Sequence, residues 1–208
     1  MTIRVHNGDI SDECAARYTG SIAVDTETLG LIPRRDRLCV VQLSPGDGTA
    51  DIIQISAGQT IAPNLMAILS DIKREKIFHY ARFDIAVLLY TFGVVVKPVF
   101  CTKIASKLVR TYTNHHSLKC NLQEMLGVDI SKAQQSSEWD SEILSAEQLK
   151  YAASDVIYLH ALREKLMKRL KCMERVDIAT SCFNFLAVRA ELDLLGWDNV
   201  DIFSHKSI

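Results

Sequence analysis

"AVDTETLGL", residues 23–31, sets an Asp and a Glu two positions apart at the end of an apolar run. With "GSI" before it the stretch reads as a β-strand, and in a strand the side chains at i and i+2 share a face. Asp25 and Glu27 therefore stand side by side. Two neighbouring carboxylates repel each other and cost stability unless a cation lies between them. The strand poses a question of chemistry together with one of fold.

Working outward, "RLCVVQLSPGDGTADIIQI" reads as two further strands joined by a turn at Pro45-Gly46-Asp47-Gly48. "APNLMAILSDI" has helical spacing with Pro63 near its start. "KIFHY" is a short strand before the helix "ARFDIAVLLYTFG", which Gly93 stops. "KPVFCTKIASKLVRTY" begins extended and turns helical, and "SLKCNLQEMLG" is a helix ended by Gly127. The polar, aperiodic "VDISKAQQSSEWDSEI" reads as a loop, and the spacing predicts one long helix over about 145–171. That helix opens on the capping-box pair Ser145 and Gln148 and lines up Leu149, Ala152, Ala153, Val156, Leu159, Leu166 and Leu170. A β-meander followed by alternating helices and strands is an α/β pattern.

The chain has 208 residues, 48% hydrophobic and 24% charged, which suits one globular domain spanning 1–208. No apolar run reaches the ~18 residues of a membrane span, and "MTIRVHNGDI" lacks the flanks of a signal peptide, so a cytoplasmic protein is expected. Six scattered cysteines without CxxC spacing indicate neither a disulfide framework nor a zinc site. A formal net charge of -1 argues against a protein that coats long nucleic acids. The apolar tail beyond 171, with "LDLLGW" and Trp197, reads as a helical extension that serves the same domain or a subunit contact.

Further acids accompany the first two. Asp84 falls in the first turn of the helix after "KIFHY", where the helix dipole also favours a carboxylate. Asp155 lies inside the long helix with Tyr151 one turn before it on the same side, beside Ala152 and Val156. A lone acid there is costly, and a pairing with Arg or Lys is the alternative to a chemical role. Taken together, the four acids match the oxygen-ligand preference of hard divalent cations such as Mg²⁺ or Mn²⁺.

"DTE" at 25–27, "HYARFD" at 79–84 and "YAASD" at 151–155 resemble the three motifs of the DEDD 3′-to-5′ exonucleases, in the subgroup with Tyr four residues before the last Asp. "KAQQSSEWDSEILSAEQLKYAASDV" is similar to the corresponding run of ribonuclease D. The resemblance covers about residues 20–170 and implies a ribonuclease H-like fold, a mixed central sheet flanked by helices. Ribonuclease D carries additional C-terminal helical domains for which this length leaves no room. The chain is more similar to the short NrnC group of nano-RNases, through "RDRLCVVQLS", "CTKIASKL" and "LDLLGW". That resemblance implies single-stranded RNA substrates of very few nucleotides, dinucleotides above all, and a ring-shaped homo-oligomer, with an octamer among the candidates.

It further implies catalysis by two divalent ions roughly 4 Å apart that activate water and stabilise the leaving 3′ oxygen. By family analogy Asp25 bridges both ions, Glu27 and Asp155 hold the first, Asp84 acts on the second, and Tyr151 orients the attacking water. A Tyr with an ordinary pKa near 10 is a poor base at neutral pH, so the metal must do most of the deprotonation. Leu31 stands at the "DxExxGL" spacing at which a Leu wedges against terminal bases; burial in the core is the alternative. Thr28, Leu29, His79 and Arg82, adjoining the motifs, are expected to touch substrate, although His79 also fits a hydrogen-bonded structural histidine.

Positive charge for phosphates is offered by "CTKIASKLVRTYTNHHSLKC", which contains no Asp or Glu and sets Lys103, Lys107 and Arg110 on one helical face, and by Arg34, Arg35 and Arg37. Trp139 either packs the loop on the long helix or stacks a base. The competing functions are a general exonuclease on longer RNA or DNA and a catalytically silent binding scaffold. Retention of four neighbouring acids together with Tyr151 weighs against the scaffold.

Overall fold

A computed structural model describes residues 1–131, 134 and 137–205. Gln135 and Ser136, part of the ribonuclease D-like run, lie outside the described residues. Six strands, β1 Thr2–Asn7, β2 Ile22–Thr28, β3 Leu38–Ser44, β4 Thr49–Gln54, β5 Lys76–Phe78 and β6 Val99–Cys101, form one sheet in the order β1-β4-β3-β2-β5-β6. The pairs β2/β3 and β3/β4 are antiparallel, as a meander requires, and β1/β4, β2/β5 and β5/β6 are parallel. The sheet is mixed and the fold is α/β, as the alternation of elements implied.

The helices are α1 Asp12–Ala15, α2 Pro63–Ser70, α3 Ala81–Phe92, α4 Thr102–Val109, α5 Leu118–Leu126, α6 Ala146–Ile157, α7 Leu159–Cys172 and α8 Val176–Leu192, followed by a π-helical turn at Asp193–Trp197. β3 is buried along its whole length, and the first half of β2 with it, so these two strands form the axis of the core. α6 lies over β2, β3 and β4, while α3 packs on α8. α8 also packs on β6, where the rings of Phe100 and Phe183 lie 4.8 Å apart. Among the described residues no helix is long and apolar enough to cross a membrane.

Two differences from the expected elements have physical causes. The helix foreseen over 145–171 opens with its capping box but breaks at Tyr158, whose backbone sits at φ -96° and ψ -7°. A straight helix of that length would run about 40 Å. The turn redirects α7 so that it packs against α4 and α5 while still touching β2 and β5. The second difference is β1, whose inward side chains are polar: Arg4 and His6 turn toward buried Asp51 of β4, and Val5 is exposed. Hydrophobic alternation could not reveal such a strand.

Asp51 is fully buried and accepts from the Tyr18 hydroxyl at 2.7 Å and Arg17 at 3.4 Å, with His6 Nε2 at 2.9 Å. The fold thus gathers His6, Cys14 and Asp51 in space, although no sequence spacing indicated it. Both carboxylate oxygens are already engaged, and two guanidinium groups stand close by, so this hub favours protein donors over a cation. All six cysteines are free thiols. Replacing Asp51 with Ala strands these donors in the interior and is expected to destabilise the fold by about 3 kcal/mol, read from urea unfolding.

Candidate active site

The acids converge from three elements. β2 presents Asp25 and Glu27 on one face, and α6 brings Asp155 over them, so that one oxygen of each carboxylate lies within 4.8 Å of the others. Thr26, between the two acids, alternates to the opposite face. Its hydroxyl donates to Asp84 Oδ1 at 2.7 Å. Asp84 sits in the first turn of α3 and is buried. The four acids and Tyr151 all line one groove of about 660 Å³.

The charges are poorly solvated and repel one another. Burial, reinforced by Asp84, Asp155 and Glu27, raises the Asp25 carboxyl well above the usual range. Glu27 is pushed up to about 9 by burial and by Asp155 and Asp84. Asp84 is raised to about 7 by burial, against the opposing hydrogen bond from Thr26. This cluster offers carboxylate oxygens from several acids, and its chemistry fits hard divalent cations.

Tyr151 holds its proton more firmly than a free phenol, chiefly because it is buried and then because Asp155, Glu27 and Asp25 surround it. At neutral pH it is a hydrogen-bond donor. Its ring lies 6.0 Å from that of Trp139 at an angle of 39°. Trp139 is only 2% exposed, so it backs Tyr151 and is not available to stack on a base.

Thr28, Leu29, Leu31, His79 and Lys103 also line the groove. Leu31 is 83% exposed, which overturns the reading of it as core. Thr102 spends its hydroxyl proton on the Phe78 carbonyl, so the 2.9 Å contact with His79 is a donation from His79 Nδ1. That bond fixes the imidazole's orientation at the groove wall. Lys103 Nζ stands 4.2 Å above the ring of Tyr80, a partly exposed residue in the left-handed region at φ 76°.

Three expected substrate contacts are corrected. Arg110 is 2% exposed and is bound to Glu124, Ser106 and the His115 carbonyl. α4 ends at Val109, so Arg110 leaves the helical face it was assigned to and turns inward. Lys107 does share a helical face with Lys103, but it projects into solvent outside the groove. Arg82 makes a two-pronged pair with Asp193 at 2.6 and 2.7 Å, tying α3 to the C-terminal segment. Tyr80, Phe83 and Ser117 line the groove without having been singled out. Tyr80 and Phe83 lie within "HYARFD" and could have been found by their adjacency to Asp84.

The chain belongs to the 3′-5′ exonuclease family, whose model matches residues 8–171. Ribonuclease D of Gluconacetobacter diazotrophicus is 31% identical over 77% of this chain and 40% of its own length. The chain spans about two fifths of the length of the curated relatives that it matches first. Among solved structures, the apo form of a nuclease is 69% identical with a TM-score of 0.98, covering 99% of this chain and all of the other. Brucella melitensis NrnC with bound Mg²⁺ is 56% identical with a TM-score of 0.95, and the same protein bound to pGG is 57% identical with a TM-score of 0.95; each match covers 99% of this chain and 100% of that one.

The raised carboxyls fix a sign for the dependence of stability on pH. Between an ordinary 4.5 and its folded value of about 9, Glu27 binds more protons in the native than in the unfolded state, so stability is lost as pH rises through that window. Asp84 acts in the same direction up to about 7. Thermal unfolding of the cation-free protein is expected to move to lower temperature as pH is raised from about 5 to about 8. Excess Mg²⁺ should reverse the loss at the upper end.

Proposed function

We propose that the chain hydrolyses very short single-stranded RNA from the 3′ end, dinucleotides above all, releasing 5′-mononucleotides. Two divalent cations, Mg²⁺ or Mn²⁺, would be held by Asp25, Glu27, Asp84 and Asp155. The observation that carries this reading is the convergence of four carboxylates and a protonated Tyr in one groove. Bound there, such cations activate water, neutralise the scissile phosphate and stabilise the leaving oxygen.

The chain's own groups supply position and exclusion. Asp25 lies at the centre of the acids, flanked by Glu27 and Asp155 on one side and, past Thr26, by Asp84. Tyr151 orients the attacking water by donating a hydrogen bond, since it keeps its proton. Leu29 and Leu31 bring apolar surface to a polar groove, 49% and 83% exposed, suited to wedging against bases of any identity. Lys103, also lining the groove, contributes positive charge.

A volume of about 660 Å³ falls within the range of small-ligand pockets, in keeping with a substrate of very few nucleotides. The pGG bound by the Brucella melitensis protein supports the same class of substrate. Residues 1–208 would act as one exonuclease domain within a ring-shaped homo-oligomer. The apolar side chains of Leu195, Trp197 and Phe203, exposed on the C-terminal segment, support the oligomer. The free thiols favour a reducing cytoplasm.

With 5′-labelled RNAs of about two to ten nucleotides, the dinucleotide is expected to be cut fastest with Mg²⁺ or Mn²⁺ and not at all with chelator. Equal rates at every length would make the chain a general exonuclease. Asp25→Ala and Asp155→Asn should abolish hydrolysis while the far-ultraviolet dichroism stays unchanged. Tyr151→Phe is expected to lower kcat by roughly 100-fold with little change in KM, and a change confined to KM would refute the water-orienting role.

A further inference from the structure

The geometry points to Gln42 as a positioning residue that holds the Asp25 carboxylate from behind, a role that rests on reading Asp25 as a cation ligand. Gln42 is the polar member of the otherwise apolar "LCVVQL" in β3 and is fully buried. Neither its amide nitrogen nor its carbonyl oxygen has a hydrogen-bond partner among the described residues. A buried carboxamide without partners is an expensive way to fill a sheet interior, and Leu or Met would fill the same space without that cost.

Strand register says what the amide is next to. Gln42 pairs directly with Asp25 across β2/β3 and with Ile52 across β3/β4. Residues directly opposite in an antiparallel pair share a face, with Cβ atoms about 4.5–5.5 Å apart. Ile52 offers no acceptor, so the polar group directly opposite Gln42 on that face is the Asp25 carboxylate. Asp25 lines the groove and Gln42 does not, which places the amide on the side of Asp25 away from the opening.

A carboxylate that meets its cations through one oxygen, even when that oxygen is shared by two of them, keeps the other for a donor behind it, and such outer partners fix the plane of the ligand. With Asp25 ionised and drawn into coordination, its outer oxygen is the acceptor that the Gln42 amide lacks. The bond forms directly or through one water. The polar cost carried by the cation-free fold becomes orientation of the ligand at the centre of the acid cluster.

Calorimetric titration of the full chain with Mn²⁺, paired with thermal unfolding of the cation-free protein, tests this in Gln42→Leu and Gln42→Met. Both variants are expected to bind Mn²⁺ about 10–100-fold more weakly. Their cation-free unfolding midpoints should be unchanged or higher by about 2–4 °C. Wild-type affinity in the variants, a lower cation-free midpoint, or failure of both variants to fold overturns the inference and returns Gln42 to a packing role. If the wild-type chain itself takes up no Mn²⁺, the cation reading of Asp25 falls, and this inference falls with it.

Discussion

A strand that carries two like charges into a poorly solvated groove is the constraint on which the rest of the structure depends. Asp25 and Glu27 lie on β2, next to the fully buried β3, where an uncompensated carboxylate is least welcome. The fold does not dilute the problem. It places Asp155 over the same face and brings Asp84 against Thr26 on the other, so that Asp155 and Asp84 raise the proton affinity of Asp25 and Glu27. A sequence selected for stability alone would have no reason to assemble this cluster. Local rules of charge and burial are broken together in this one groove, the pattern that marks functional sites in proteins generally.

The surroundings make that violation tolerable. Large apolar surfaces meet on both sides of the sheet, and the contact of α3 with α8 keeps the helix bearing Asp84 fixed. Elsewhere buried charge is handled in the opposite way. Asp51 receives a hydroxyl and a guanidinium donor, and Arg110 receives Glu124, Ser106 and a carbonyl. Buried ions matched by opposite charge in one place and acids gathered beside other acids in the groove are two different treatments of charge within one chain.

Much of the groove was legible because it depends on short-range geometry. The two-residue spacing of Asp25 and Glu27 survives any uncertainty in strand ends, and the one-turn spacing of Tyr151 and Asp155 is unaffected by the break at Tyr158. Legibility failed where a side chain's direction depended on where an element stops. Arg110 follows i+7 from Lys103 on paper, yet the helix ends one residue before it. β1 escaped notice because its inward side chains are Arg4 and His6, whose partner lies more than forty positions away. Gln42 was hidden for the converse reason: one polar residue in an apolar run carries no periodic signal, and its meaning comes only from the register that faces it to Asp25.

The first turn of α3 looks in two directions. Asp84 faces the groove, while Arg82, two residues earlier, is committed to Asp193, which Arg189 also grips from α8. One turn of helix therefore sets both the location of an acid in the groove and the seat of the C-terminal segment. Whatever rests against that segment rests, by way of the Arg82 and Arg189 forks on Asp193, on the same helices that carry Asp84 to the groove.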